Sequence, residues 1–120
     1  IDNLFNFAKR VMSDFDYKGY KLGIIYGIDG DYQSIIADKI LFDKKLDYEV
    51  VAFLNVHGTV SFRSKNNIDV SDIAKKLGMI VGYSGGGHKH ASGCRICDKD
   101  EMKKKMMEIF EHSMNKIKIL

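Results

Sequence analysis

The groups best placed to do chemistry lie between Gly82 and Gly93, in the run GYSGGGHKHASG. Gly85, Gly86 and Gly87 lead directly into His88, Lys89 and His90, and the small residues Ala91, Ser92 and Gly93 follow. Glycine loses more backbone freedom on folding than any other residue, so a run of three is expected where φ is unusual or another backbone comes close. Bare main-chain N–H groups arranged concavely bind anions, and His88 and Lys89 add charge-assisted hydrogen bonds beside them. Phosphate is the guest this pattern predicts. The plain alternative is a surface turn without a ligand. The small residues after His90 would let a flat base or another backbone lie close.

Other chemistries fit less well. Gly82 and Gly87 have the spacing of a phosphate-binding P-loop, but His88 stands where that motif needs Lys. No GxGxxG run follows a strand and opens a helix, as dinucleotide binding requires. His88 and His90 lack a carboxylate or cysteine at usable metal-ligand spacing, so no metal site is expected. Cys94 and Cys97 are the two cysteines. On an extended segment they point to opposite faces, which argues against a shared zinc or a local disulfide. Both read as structural. A second candidate element is SFRSK, residues 61–65. Alternation puts Ser61, Arg63 and Lys65 on one face, and Arg63 offers a planar fork suited to phosphate oxygens or to stacking on a base.

These residues need a scaffold. The chain has 120 residues, 45% of them hydrophobic and 29% charged, with no proline. That suits one domain with its own core. No apolar run is long enough to cross a bilayer, and no secretory signal is evident. Few cysteines and six methionines suggest a reducing, cytoplasmic setting. Residues 1–60 hold 7 Lys/Arg against 9 Asp/Glu, whereas residues 61–120 hold 12 against 7. The second half is therefore basic, either as a solvated face or as a surface that attracts phosphates.

Hydrophobic periodicity predicts a helix over 2–15, with Leu4, Ala8, Val11 and Phe15 as its stripe. It then predicts a strand over 20–27, a helix around Tyr32–Leu41, and a hairpin of strands 48–56 and 59–65 turning at His57-Gly58. A helix capped by Asp69 follows, then a glycine-rich loop over 78–90, a strand over 91–97 and a helix over 100–116. The expected fold is α/β, a mixed central sheet of about four to five strands covered by helices.

Taken together, SFRSKNNIDVSDIAKKLG followed by GGGHKHASG resembles the C-terminal DHH-associated domain, type one (DHHA1), of the DHH phosphoesterases. These include RecJ-like exonucleases, oligoribonucleases and cyclic-dinucleotide phosphodiesterases. The likeness covers roughly residues 20–115 and is strongest over 59–96. It implies a substrate-binding, nucleotide- or nucleic-acid-binding module of a hydrolase. Such a module would position a phosphodiester for a separate N-terminal DHH domain that holds manganese or magnesium. Carried over by position, the GGGH motif is Gly85, Gly86, Gly87 and His88. The S-x-R-S strand is Ser61, Arg63 and Ser64, and the A-x-G ending is Ala91 and Gly93. Arg63, Ser64, Gly85, Gly86, Gly87 and His88 are thus the expected substrate-binding residues, with Tyr83 and His90 added for base or sugar contact. The stretch Met79–Ser84 departs from the family pattern, in which the helix runs straight into the glycines.

Since the first residue is Ile1, a piece of a longer chain is expected, with residues 1–19 as a connector helix from the catalytic domain and 20–120 as the binding domain. The expected partners are a single-stranded oligonucleotide or small nucleotide and the DHH domain, with no membrane. No cofactor and no catalytic residue are expected in this domain. The alternative is a non-catalytic module tethering RNA, tRNA or single-stranded DNA, as related domains of alanyl-tRNA synthetases do; Lys103, Lys104, Lys105, Lys116 and Lys118 would then matter most. The purified chain by itself is expected to hydrolyse no phosphodiester. The check is a dinucleotide incubated with the chain and manganese, and metal-dependent turnover would overturn the expectation.

Overall fold

A computed structural model describes residues 2–28, 30–65, 68–81, 85–96 and 105–119. Among them the order of elements is α1 (Asp2–Val11), β1 (Ser13–Tyr17), β2 (Tyr20–Tyr26), α2 (Gly30–Leu41), β3 (Val50–Leu54), β4 (Thr59–Ser64), α3 (Val70–Val81), β5 (Gly85–His88), β6 (Ala91–Arg95) and α4 (Met106–Ile119). The strands form one six-stranded sheet in the order β1-β2-β3-β4-β6-β5. Only β2 and β3 run parallel, joined by α2; the other neighbours are antiparallel. The mixed α/β class agrees with the sequence, but the sheet has six strands among the described residues rather than four or five.

Both extra strands have local causes. The first helix stops at Val11, and SDFDY forms edge strand β1. Its alternation turns Phe15 and Tyr17 inward and leaves Asp14 and Asp16 exposed, which is a strand period and not a helical one. Lys18 and Gly19 both have positive φ, 53° and 85°. Such a pair forms the tight turn that matches strand twist, and it sets Tyr17 opposite Tyr20. Helical periodicity assigns Phe15 to the first helix. In the fold that stripe is broken, and Val11 is left exposed. The second unforeseen strand, β5, is the glycine run itself.

The central strand β3 is buried along its whole length, because helices cover both of its faces. Val50, Ala52 and Leu54 join Val60, Phe62, α3 and α4 in one core. Val51 and Phe53 join Ile25, α1 and α2 in the other. Phe53, Phe62 and Phe110 are among the fully buried anchors. Residues 97–104 lie outside the described residues, so Cys97, Met102 and the predicted start of the last helix at residue 100 are not placed; Met106, Phe110 and Met114 are buried on α4.

Cys94 lies in the core, and burial pushes its thiol from 9.0 up to about 12. Tyr48 is likewise buried, and its hydroxyl donates to Asp14 on β1. Burial first, then that bond, raises it from 10.0 to about 12. In both cases the folded pKa exceeds the unfolded one, so this contribution to stability is complete below pH 9 and is lost as pH rises toward 12. Each group steepens the alkaline decline by at most about 1.4 kcal/mol per pH unit. Urea unfolding between about pH 9 and 12 should show a shallower decline for Cys94→Ala than for the parent. Parallel declines would refute the role of the buried thiol.

Candidate functional site

The register fixes which residues share a face. Arg63 on β4 lies opposite Ala91 on β6, and Ala91 lies opposite His88 on β5. Residues directly opposite one another in a sheet share a face, so Arg63, Ala91 and His88 form one cross-strand row. Two strand spacings separate its ends, roughly 10 Å. The next row is Ser61, Gly93 and Gly86. Ser61, Arg63, Ala91, Ser92 and Gly93 line an open cleft of about 300 Å³.

The cleft exists because helical cover stops at β3. Along the Arg63 row the next residue inward is Val51, fully buried beneath the α1–α2 layer. Lys65 marks this border: its Nζ donates to the carbonyl of Leu41, the last residue of α2, at 3.1 Å. It therefore caps a helix end, where a cation is favoured, and is not turned toward the cleft. Beyond the border the floor is made of Ser61, Ala91 and Gly93, small enough to leave Arg63 half-buried and His88 exposed.

The other expected site residues are placed as follows. Ser64 lies in line with Val60 and Phe62, on the opposite face from Arg63. Its hydroxyl donates to the Ile68 carbonyl at 2.7 Å and lies 3.2 Å from His90 Nδ1. His90 in turn accepts from the Ser64 amide through its carbonyl at 3.2 Å. Ser64 and His90 thus fasten the β5–β6 turn to the end of β4. The same turn is tied to α3, since the Val70 amide donates to the Lys89 carbonyl at 2.7 Å and Ser92 Oγ donates to the Val70 carbonyl at 2.5 Å. Asp69 caps α3 by accepting from the Ser71 amide and hydroxyl, at 2.8 and 2.6 Å, and those bonds hold its carboxyl below the usual range. Tyr83 falls outside the described residues.

Each glycine of the triplet is required by the fold. A Cβ on Gly85 would lie 2.0 Å from the Ala74 carbonyl oxygen, so only glycine lets α3 pack against β5. Gly86 and Gly87 have φ of 154° and 140°, where L side chains are strained. A Cβ on Gly87 would also press on the Ser92 and Ala91 backbone at 2.7 and 2.8 Å. The expected loop over 78–90 is therefore corrected: its start is the end of α3, and its glycines are a strand. The amides they offer lie along the edge of a sheet, where alternate groups of an antiparallel strand face outward.

Ser61, Ala91 and Gly93 complete the floor, although they are not among the binding residues expected from the sequence. Strand alternation with Arg63 signals Ser61, and the small A-x-G ending signals Ala91 and Gly93; the register adds which row each one joins. Among the described residues no three His, Cys, Asp or Glu side chains gather as metal ligands. Among the same residues no helix is long and apolar enough to cross a membrane.

Both the sequence and the fold have matches among known proteins. Residues 19–116 match the DHHA1 domain. The chain belongs to that family. Its fold is also that of an uncharacterized protein from Helicobacter pylori, with 24% identity, a TM-score of 0.67 and 94% of this chain covered. RecJ from Thermus thermophilus, solved with Mg2+, aligns with 96% of this chain at 17% identity and a TM-score of 0.57. The C-Ala domain of Aquifex aeolicus alanyl-tRNA synthetase aligns with 82% of it at 17% identity and a TM-score of 0.50. This DHHA1 domain spans 30% of the Helicobacter chain and 17% of the RecJ chain, but 97% of the C-Ala chain. No curated protein matches the sequence.

The glycines give a graded test of the site's construction. Gly85→Ala should lower unfolding stability by about 2–3 kcal/mol through overpacking against backbone. Gly86→Ala, which meets only Lys75 methylenes at 3.7 Å and beyond, should lose less, through φ strain alone. Urea denaturation ranks them, and equal losses would refute the close approach at Gly85.

Proposed function

We propose that this DHHA1 domain binds the phosphate of a short single-stranded oligonucleotide or small nucleotide on the open β4–β6–β5 face. Within a longer DHH-family phosphoesterase or exonuclease it would present the phosphodiester to a separate N-terminal DHH domain, which would carry manganese or magnesium. A cytoplasmic setting fits a free, buried Cys94.

The single observation that carries this reading is the row Arg63–Ala91–His88. A guanidinium and an imidazole stand at the two ends of a short span whose middle is only a methyl group. One phosphoryl group placed over Ala91 lies within side-chain reach of both. Arg63 supplies a planar fork, His88 a ring N–H, and Ser61 a hydroxyl from the adjacent row. The flat floor at Gly93 and Gly86 leaves room for a sugar or base. Outward amides of the β5 edge are the remaining donors from the glycine run. Ser64 and His90 act by holding the turn that aims His88. Hydrolysis would need general base and metal groups from outside this domain.

One observation favours a second reading, that of a tethering module for RNA, tRNA or single-stranded DNA: the C-Ala chain consists almost wholly of a domain with this fold. Lys105 and Lys116 are exposed in or next to α4, and α4 packs on the opposite face of the sheet from Arg63. Lys103 and Lys104 lie outside the described residues. The two readings therefore use different surfaces.

Charge-assisted hydrogen bonds contribute about 1.5–3 kcal/mol each, so Arg63→Ala should weaken binding of a 5′-phosphorylated dinucleotide about ten- to a hundred-fold. His88→Ala should weaken it in the same direction. Titration by fluorescence anisotropy or calorimetry reads both. Unchanged affinity for Arg63→Ala rules out the cleft. A steep salt dependence that survives both changes and collapses on Lys105→Ala with Lys116→Ala would favour tethering.

A further inference from the structure

Beyond His88 the sheet ends, because β5 is its last strand. The helix α3 packs against that strand and carries two adjacent lysines. Lys76 is held by Asp72, one helical turn before it, at 3.0 Å. Lys75 is exposed and forms no hydrogen bond or ion pair among the described residues. Its stem nevertheless has a defined place, since a Cβ at Gly86 would meet Lys75 Cε at 3.7 Å and Cγ at 3.9 Å. The ammonium is one bond past Cε, which puts it within about 5–6 Å of the same point. Gly86 belongs to the row Ser61–Gly93–Gly86 that floors the cleft. Lys75 thus reaches from α3 to the free edge of the sheet, at the border of the cleft. The charge nearest to it on α3 is Asp69, whose carboxylate feels both Lys89 and Lys75. Asp69 is exposed and already accepts two bonds from Ser71, so its pull on Lys75 is weak.

We propose that Lys75 is a specificity-determining residue for the length of the bound strand: it contacts the phosphate next to the one held by Arg63 and His88, where the strand leaves the cleft across the β5 edge. This rests on the phosphate-binding reading of the cleft. The row Arg63–Ala91–His88 crosses the sheet toward β5, so a guest laid along it meets that edge. Ala91 is one strand across and two residues along from Gly86, roughly 8 Å. Lys75 therefore serves the neighbouring phosphate and not the one over Ala91. The outward amides of the β5 edge lie along the same border and add donors. An ammonium on a flexible stem acts as a point charge and not as a planar fork. It counts phosphates and reads no base, which makes the face prefer oligonucleotides over mononucleotides without a sequence preference.

The test titrates the 120-residue chain and its Lys75→Gln, Lys75→Arg, Lys76→Gln and Arg63→Ala variants with a 5′-phosphorylated mononucleotide and with 5′-phosphorylated DNA and RNA pentanucleotides. Lys75→Gln is expected to weaken pentanucleotide binding about three- to tenfold and to leave mononucleotide binding within about twofold. It should also lower the slope of log K against log salt by about 0.7, the value for one phosphate contact on a single strand. Lys75→Arg should keep that slope, which separates loss of charge from loss of fold. Lys76→Gln removes the same charge one residue away and should change pentanucleotide affinity by less than about twofold. Equal pentanucleotide affinity for Lys75→Gln and the parent overturns the proposal. So does a loss of the same size at every length, or an equal loss for Lys76→Gln, which would make the effect one of diffuse charge. If Arg63→Ala weakens all ligands while Lys75→Gln is silent, only the length proposal falls. If Arg63→Ala is silent, the cleft reading falls and takes the length proposal with it.

Discussion

The candidate site depends on the approach of α3 to β5, where the Ala74 carbonyl occupies the space a Cβ would take at Gly85. That contact holds the glycine strand flat against β6 and sets His88 opposite Ala91. Through β6 the register then passes to β4 and Arg63. The row that could grip a phosphate is therefore a product of backbone packing several residues away from any proposed contact. A larger residue at Gly85 would push β5 off the helix and carry His88 with it.

The turn between β5 and β6 is fastened from two sides, by Ser64 at the end of β4 and by Val70 at the start of α3. Such fastening suits binding, because a preorganised donor set loses less freedom when its guest arrives. It also redistributes the roles of the polar residues in the motif. Ser64 and His90 face one another at the turn, while Ser61 and Arg63 face the cleft. Side chains adjacent in sequence thus serve different ends, since successive residues of a strand point to opposite faces.

The two faces of the sheet divide the labour. One is covered by α3 and α4 along its length and holds the larger core. The other is covered by α1 and α2 only as far as β3. Lys65 closes the end of α2 at that limit, and the open half of the sheet begins beside it, at Arg63. On that open half the small residues Ser61, Ala91 and Gly93 leave the Arg63 side chain half-buried at the edge of the cleft.

Much of this was legible in the sequence. The motif residues 61–64 and 85–93 identified the family, and alternation in SFRSK already put Ser61 with Arg63. The stripes of α2, α3 and α4, the hairpin at His57-Gly58 and the cap at Asp69 follow from local patterns that need no distant partner. The strand nature of 13–17 and 85–88 did not. Glycine carries no side-chain periodicity, and Phe15 satisfied a helical stripe as well as a strand, so each segment was decided by the neighbour it pairs with. Whether Arg63 and His88 share a surface was likewise beyond the sequence. That depends on strand order and register across β4, β6 and β5, which main-chain hydrogen bonds and the close helix contact at Gly85 set only when the whole sheet has formed.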